Sequence, residues 1–293
     1  MEQPATDSGN LLRQMPMIRR ARDFRLYTIR GRRLVDLWQL GGAALLGHNP
    51  PKVLRDFKNT AERGLFAPFP HPMEGRFFKA LARLFPGGDF RVYADEFSLR
   101  RALDRSGGDA GTLGTAPDGC PWTDPAFSPD PTALPAGARS SALALWRPFL
   151  KTGEEGLAFS PDIPVQRPVL PLPWPGSPQV LILEKDRSPG FPPSDPVSPA
   201  ILAAAIRGIY DLLAAPERGS PRFPKIEKAL KKGSWRRRGI YLTLPEAPDA
   251  ASYAELFRDF LDRGFLLPPS PAQPLILPGI LSPGEEAALA ELL

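Results

Sequence analysis

The chain has 293 residues, and its apolar content of 42% allows a sizeable core and about two domains. The single cysteine, Cys120, excludes an intramolecular disulfide and a cysteine-based metal cluster, and it favours a reducing compartment. The net charge of +5 is modest for this length, and no segment approaches the roughly 18 uncharged apolar residues of a membrane span. The arginine-rich start also lacks the apolar run of a signal peptide. We therefore expect a soluble cytoplasmic protein with no metal site and no membrane partner.

The N-terminal third predicts a hairpin followed by two helices. Residues 25–29 and 33–37 are short runs of strand-forming residues separated by a glycine-containing turn. A helix is predicted over residues 50–64, with Asn49 as its N-cap, and a second one over residues 72–85. The apolar faces of these helices are predicted to carry Val53, Leu54, Phe57, Ala61, Phe77, Leu81, Leu84 and Phe85.

The middle of the chain contains few signals of regular structure. Residues 90–93, 142–146 and 180–183 are the only credible strand runs between the predicted N-terminal helices and residue 239. Residues 106–138 are rich in Gly, Pro, Asp, Ser and Thr, which predicts a long loop or a disordered insert. A serine and a first-turn proline open an apolar helix predicted over residues 198–214.

The C-terminal segment has clear local signals again. Ser252 with Glu255 predicts a capping box for a helix that ends at Gly264, and Ser282 with Glu285 predicts a second box for the last helix. Short strands are predicted at residues 240–244, 265–267 and 275–277.

Both chain ends resemble a known family. The N-terminal sequences that carry the resemblance are RRLVDL (32–37), LLGHNPP (45–51), PHPME (70–74) and LFPG (84–87). The C-terminal ones are YAELFRDF (253–260) and RGFLLPPS (263–270). Their order and placement resemble the class III pyridoxal-phosphate aminotransferases, and glutamate-1-semialdehyde aminomutases are the nearest relatives by motif. Together the matching parts cover roughly residues 17–90 and 239–293.

The resemblance implies an α/β protein with a reduced fold-type-I aminotransferase architecture. We expect residues 17–90 and 239–293 to form one small α/β domain, because each end has apolar faces that it cannot cover alone. Residues 91–238 would form a reduced central domain with a truncated sheet, and residues 1–16 a flexible N-terminus. Family members are usually dimers, so the resemblance also implies a homodimer or another protein partner.

The features that bind the cofactor in the family are not found in this sequence. Pyridoxal-phosphate chemistry needs a Schiff-base lysine, an acid at the pyridine nitrogen and phosphate donors from a small-residue turn at a helix start. The family places that turn directly after the strand corresponding to residues 90–93. Here the chain continues with Asp95 and Glu96, whose carboxylates would repel a phosphate. The family's Asp-Glu-Val sequence and the glycine turn after its lysine also lack counterparts, so we expect no cofactor unless a lysine has moved.

Lys185 is the weak candidate for such a relocated lysine. It follows the strand-like run at 180–183, and Asp186 could act as the acid partner. Because Glu184 and Asp186 flank it, the lysine would be held charged and would make a poor nucleophile. A cluster of charged residues on the surface at a strand end is the simpler interpretation.

The remaining candidates predict no catalytic set. His48 and His71 are the only histidines, and we interpret them as a turn residue and a residue at a helix start, not as metal ligands. Asp95, Glu96 and Asp104 could share a helix face, which in the absence of a partner base is usually a solvated face.

Three functions remain open from the sequence. The first is an aminotransferase-like pseudoenzyme with a binding or dimerising role, and the second is a working pyridoxal-phosphate aminotransferase or aminomutase that uses a relocated lysine. The third is a nucleic-acid-associated protein that uses Lys228 to Arg238, in the basic run at residues 225–238. We favour a solvated helix end leading into a strand for that run, and so do not expect a nucleic-acid partner.

Overall fold

A computed structural model describes residues 8–106, 122–127, 143–151, 157, 163, 165–174, 176–184, 190–215 and 221–293. The strands are β1 Ile18–Arg22, β2 Arg25–Thr28, β3 Arg33–Asp36, β4 Asp89–Tyr93, β5 Leu143–Trp146, β6 Val165–Pro168, β7 Gln179–Leu183, β8 Arg236–Arg238, β9 Tyr241–Thr243, β10 Phe265–Leu266 and β11 Leu275–Ile276. The helices are α1 Ser8–Arg13, α2 Pro51–Ala61, α3 Met73–Leu84, α4 Glu96–Arg105, α5 Pro199–Leu213, α6 Pro224–Leu230, α7 Ala250–Asp262 and α8 Pro283–Ala290. The α/β class predicted from the sequence is confirmed.

The chain divides into two compact units. The first unit contains residues 1–48, 149–156 and 216–293, and the second contains residues 49–148 and 157–215. The prediction had assigned residues 49–90 to the unit formed by the chain ends. The structure assigns them to the other unit, because α2 and α3 pack against α5. The short segment around Phe149 and the stretch from residue 216 likewise belong with the chain ends, contrary to the predicted boundaries.

In the first unit the two chain ends form a common sheet. Its strand order is β1-β2-β3-β10, and β10 pairs in parallel with β3, with Phe265 opposite Val35. Arg32 donates a hydrogen bond to the carbonyl oxygen of Leu261, at the end of α7. The core of this unit combines Leu34 and Leu37 with residues from the C-terminal segment. The predicted meeting of the N-terminal segment with the helix that ends at residue 262 is therefore confirmed.

The predicted capping box is found at the start of α8 but not at the start of α7. The box of Ser282 and Glu285 is present at α8. At α7 the N-cap is Asp249, which accepts hydrogen bonds from the backbone N–H groups of Ala251 and Ser252, so the predicted box starting at Ser252 is wrong. Asp249 directly precedes the helix, so its carboxylate can accept from two N–H groups of the first turn, whereas Ser252 lies inside that turn.

In the second unit a mixed sheet has the strand order β4-β7-β6-β5 among the residues that the structure describes. Only β5 and β6 pair in parallel, while β7 is antiparallel to both of its neighbours. Strand β6 was not predicted, because its sequence VQRP has a charged residue and a proline and little apolar alternation.

Helix α5 is the apolar centre of the helices in this unit. Its alanine-rich face lets α2 and α3 approach closely. A Cβ atom added at Gly208 would lie 2.7 Å from the carbonyl oxygen of Pro171, so a glycine is needed at this contact. In α2, Val53 is buried as predicted, whereas Leu54 is 43% exposed and does not belong to the core. The predicted N-cap Asn49 is also wrong, since Pro50 occupies that position and no side chain caps the helix.

Parts of two segments that were predicted to be flexible or loop-rich are described by the structure. Within the predicted insert at 106–138, residues 122–127 are described, and Trp122 and Ala126 are buried there. Asp124 in this segment forms an ion pair of 2.6 Å with the buried Arg147. Near the N-terminus, the predicted flexible segment 1–16 contains α1, and Leu11 packs against the core of the first unit.

None of the described helices combines the length and the apolar character needed to cross a bilayer.

Candidate functional site

The candidate site is the start of α4, directly after β4, where the family resemblance places the turn that holds the cofactor phosphate. The apolar residues Phe90, Val92 and Tyr93 bury β4 in the sheet of the second unit. Ala94 and Asp95 then break the strand, and α4 begins at Glu96. The first N–H groups of a helix have no partner within the helix, so this turn is where an anion would bind.

The chain's own Asp95 occupies this position. Its backbone is extended, and Oδ1 accepts a hydrogen bond of 2.7 Å from the N–H of Ser98. This backbone hydrogen bond, assisted by the Ser98 hydroxyl, lowers the pKa of the Asp95 carboxyl, so the group is ionised at neutral pH. The helix start therefore already has a negative charge aligned with its dipole.

Glu96 adds a second carboxylate that is held by an arginine from the sheet. Arg167 of β6 donates both of its terminal nitrogens to Glu96, with an Nη1–Oε1 distance of 3.2 Å. The same guanidinium donates to Oε1 of Gln179 at 2.6 Å and lies 5.6 Å from the ring centroid of Trp122. These contacts engage the guanidinium of Arg167, so it is not free to bind a phosphate, and Arg100 of α4 lies 3.5 Å from Oε1 of the same Glu96.

A third carboxylate takes the donor at the end of the strand. Oδ2 of Asp195 accepts a hydrogen bond of 3.1 Å from the N–H of Ala94, and the N–H of Asp195 donates to the carbonyl oxygen of Val92. Ser194 accepts from the N–H of Val92 at 3.0 Å. The loop that contains Ser194 and Asp195 thus covers the outer edge of β4.

Tyr93 closes the same corner of the sheet. Its hydroxyl donates to the carbonyl oxygen of Pro192 at 3.1 Å, and burial raises its pKa to about 12. The phenol stays protonated at physiological pH, so Tyr93 acts here as a fixed donor and not as a base.

These contacts do not fit the phosphate of pyridoxal phosphate. The N–H groups of Ala94 and Ser98 point to carboxylates of the same chain, and Asp95, Glu96 and Asp195 concentrate negative charge where a phosphate dianion would need donors. The described residues of this site therefore offer no phosphate-binding turn.

The N-terminal motif around Asp36 and His48 has a structural role in the first unit. The Asp36 carboxylate is buried, and Oδ2 lies 2.7 Å from Nε2 of His48. Gly47 has a φ of 95° and approaches the hairpin turn at Asp23 closely, while the N–H of His48 donates to the Asp23 carbonyl oxygen. The Gly-His sequence thus holds the β1–β2 turn against β3, and His48 is the turn residue that the sequence indicated.

The other sequence candidates are not brought together. Lys185 and Asp186 lie outside the described residues. His71 precedes α3, where its Nδ1 accepts from the N–H of Met73 at 3.2 Å. Asp104 is exposed near the far end of α4, about 13 Å along the helix axis from Asp95 at 1.5 Å per residue. Across the described ranges no group of three or more His, Cys, Asp or Glu side chains could hold a metal ion.

The basic run at 225–238 forms the end of α6 and strand β8, as expected for a helix end leading into a strand. Arg237 is half-buried, donates to the carbonyl oxygens of Gly239 and Pro221, and lies 3.5 Å from Glu227. Burial lowers the pKa of its guanidinium, although the group stays charged. Arg237 therefore helps to hold the fold.

Sequence reasoning missed Arg167 and Asp195 as neighbours of the helix start. Arg167 is 71 positions from Glu96, and Asp195 is 101 positions from Ala94. Asp195 lies in a proline-rich stretch with no periodic signal, so nothing local indicated that it pairs with a strand edge.

Comparison with known proteins supports the fold. No family model matches the chain. An uncharacterized protein of Treponema pallidum is 41% identical over 86 residues, and one of Borreliella burgdorferi is 39% identical over 75 residues. These matches cover 29% and 26% of this chain and 28% of each relative, so the chain matches only about a quarter of the length of these relatives.

Solved aminotransferase structures resemble almost the whole chain. The ornithine δ-aminotransferase of Plasmodium falciparum has a TM-score of 0.69 at 13% identity, covering 94% of this chain and 91% of the other. The acetylornithine aminotransferase of Elizabethkingia anophelis has a TM-score of 0.66 at 12% identity over 94% and 92%. A glutamate-1-semialdehyde aminomutase of Pseudomonas aeruginosa has a TM-score of 0.64 at 16% identity over 97% and 90%. The chain therefore has the fold of the class III pyridoxal-phosphate aminotransferases, which confirms the resemblance carried by its two ends.

Proposed function

We propose that this chain is an aminotransferase-fold protein without transaminase activity, which acts as a binding or dimerising partner. The observation that carries the proposal is the Asp95 carboxylate at the start of α4. It accepts the N–H that a phosphate would need, and it adds a like charge at the same point.

The surrounding contacts make this occupation hard to reverse. A phosphate entering the turn would have to displace Asp95 from Ser98 and would meet Glu96, whose arginine partner is held by Gln179 as well. Removing the carboxylate of Asp95 alone would leave Glu96 and Asp195 in place. In this proposal several residues, and not Asp95 alone, oppose binding of the cofactor phosphate.

The second candidate is a working pyridoxal-phosphate enzyme. It is favoured by the fold, since the neighbouring solved structures are aminotransferases. It requires a phosphate site other than the start of α4 and a Schiff-base lysine, for which Lys185 is the sequence candidate. When bound, the cofactor would supply an electron sink for carbanions, and no step through it follows from the described residues.

The partner role rests on analogy with the dimers of the resembling family. Sedimentation velocity of the full chain over a range of concentrations measures it directly. A concentration-dependent dimer supports a dimerising role. The partner role is contradicted if the chain is a monomer at all concentrations and chemical cross-linking in its native cells captures no partner.

The loss of chemistry is tested by cofactor trapping. The purified chain is mixed with pyridoxal phosphate, reduced with borohydride and digested, and its lysine peptides are analysed by mass spectrometry beside Lys185→Ala. We expect low, scattered labelling that the substitution does not change. Stoichiometric labelling of one lysine, with amino-group transfer from an amino acid to a keto acid, would establish the second candidate instead.

A further inference from the structure

The positive charge of this chain is concentrated in two segments, the basic run at residues 225–238 and a segment near the start of the chain. Residues 13–33 contain eight arginines and a single acidic residue, Asp23. Because the whole chain has a net charge of only +5, the residues outside this segment together have more acidic than basic side chains. The segment forms the end of α1 and the β1–β2 hairpin, with β1 as the edge strand of its sheet.

Some of these arginines hold the fold and others do not. Arg25 and Arg33 pair with Glu285, at 2.6 and 3.1 Å, and Arg32 donates to the end of α7. Arg19, Arg20 and Arg30 are exposed, and in the part of the chain that the structure describes no carboxylate lies within ion-pairing distance of them.

Arg20 is held in an outward position by the sheet. Its guanidinium lies 4.4 Å from the ring centroid of Tyr27, which is the residue opposite it on β2. Stacking on an aromatic ring fixes a guanidinium while leaving its N–H groups free to donate in the plane. This arrangement suits recognition of an external oxyanion.

Exposed aliphatic side chains lie beside these arginines. Met17 is 77% exposed and Ile29 is 61% exposed, and the two are neighbours because the N–H of Ile29 donates to the Met17 carbonyl oxygen. Ile280, at 71%, lies next to Arg25, which donates to its carbonyl oxygen. Together with Ile18, these are all the exposed large hydrophobic residues described in the first unit.

We propose that this face, formed by Met17, Ile18, Arg19, Arg20, Ile29 and Arg30, binds the surface of an anionic lipid bilayer. Arginines attract acidic headgroups, and aliphatic side chains gain free energy when they leave water for the boundary between headgroups and acyl chains. A basic surface for nucleic acid would gain little from Met17 and Ile29, because phosphates bind cationic donors and bases stack on aromatic or guanidinium planes. A second copy of the same face would bring like charges together, so charge complementarity favours the lipid surface.

The sequence-based expectation of no membrane partner considered only segments that could cross a bilayer. A surface contact needs no such segment. The proposal also does not depend on whether the chain retains transaminase chemistry, since none of its residues belongs to the α4 site.

Vesicle sedimentation with the full chain tests the proposal. The vesicles are phosphatidylcholine alone, or about two parts phosphatidylcholine to one part phosphatidylglycerol, so that only the second kind is anionic. We expect binding to the anionic vesicles, weakened by added salt. The triple variant Arg19→Gln, Arg20→Gln, Arg30→Gln should bind about 100-fold more weakly, at about five-fold for each arginine.

Matched controls separate this face from general charge. Lys228→Gln, Lys231→Gln, Lys232→Gln removes the same charge from exposed positions of the first unit and should leave vesicle binding within about three-fold. The pair Met17→Ser, Ile29→Ser should weaken binding about ten-fold at unchanged charge. Equal losses in the two charge variants, or no loss from the serine pair, overturn the proposal.

Two further measurements distinguish a lipid surface from DNA and from a second copy of the chain as the partner of this face. Fluorescence anisotropy with labelled single-stranded and duplex DNA should show weaker binding than the anionic vesicles at the same salt concentration. Sedimentation velocity should show that the serine pair leaves the oligomeric state unchanged. Tighter binding to DNA that the serine pair does not affect, or loss of a dimer in the serine pair, contradicts the lipid assignment.

Discussion

Oδ1 of Asp95 accepts a hydrogen bond of 2.7 Å from the N–H of Ser98, at the helix start where the aminotransferase fold would bind the phosphate of its cofactor. A carboxylate at this position stabilises the helix start as a bound anion would, since both accept a hydrogen bond from a free N–H group and complement the helix dipole. The same residue that stabilises α4 thereby keeps an external anion out.

The first prediction concerns this cap. Asp95→Ala should lower the midpoint of urea unfolding, because it leaves the N–H of Ser98 without its acceptor, while Asp95→Asn should retain most of the stability. Asp104→Ala, at an exposed position near the other end of α4, is the control and should have little effect. Equal midpoints for Asp95→Ala and Asp104→Ala would show that Asp95 is not the cap.

The second prediction concerns Glu285, which accepts from Arg25 and from the N–H of Ser282. Burial raises the pKa of Glu285, but the hydrogen bonds from Arg25 and Ser282 outweigh it and lower the pKa from 4.5 to about 2. Because the pKa is lower in the folded protein, the stabilisation is complete above about pH 5 and is lost as the pH falls towards 2.

Chemical denaturation at several pH values measures this effect. After allowance for solvent screening we expect Glu285 to contribute about 2 kcal/mol at pH 7. Glu285→Gln should be less stable than the parent chain at pH 7, and the difference should shrink as the pH falls from 5 to 2. A difference that does not change with pH would contradict the role of the ionised carboxylate.

The third prediction concerns the ion pair between Asp124 and Arg147, whose side chains are 11% and 4% exposed. Asp124→Asn removes the negative charge from this buried ion pair and should lower the free energy of unfolding by about 3 kcal/mol. Glu62→Gln breaks the exposed pair with Lys58 and should change the free energy of unfolding by about 0.3 kcal/mol. Similar small effects from both would mean that residues 122–127 do not pack as the structure shows.

The fourth prediction concerns Gly239, where φ is 57° and an added Cβ would lie 1.8 Å from the carbonyl oxygen of Phe149. Gly239→Ala should lower the free energy of unfolding by about 3 kcal/mol or more, since it combines backbone strain with a clash. At Gly31 φ is 81°, and the space around this residue is open. Gly31→Ala should therefore lower the free energy of unfolding by only about 1 kcal/mol. Thermal unfolding of both variants compares the two, and equal losses would exclude the close contact at Phe149.

Local sequence signals identified much of the fold. The helix α3 and its buried residues Phe77 and Leu81 follow from a clear apolar period, and the box of Ser282 and Glu285 follows from chemistry within four residues. Strand β1 was missed because its sequence IRRAR has no apolar alternation, and it exists only because it pairs with β2 at an exposed sheet edge.

The candidate site was predictable only in part. The two carboxylates after residue 93 are visible in the sequence and already argue against a phosphate. Their binding partners are not visible, because Arg167 and Asp195 reach the helix start through pairing in the sheet and through a proline-rich loop. Long-range contacts of this kind leave no periodic pattern in a single chain.

Equilibrium dialysis of the purified chain against pyridoxal phosphate tests the central claim most directly. The chain is compared with the triple variant Asp95→Ser, Glu96→Gly, Asp195→Asn and with the control Asp104→Ser. We predict no saturable binding by the parent chain or the control up to millimolar cofactor, and weak binding that appears only when the carboxylates at the start of α4 are removed. Saturable binding of one cofactor per chain by the parent protein, at micromolar concentration, would contradict the account.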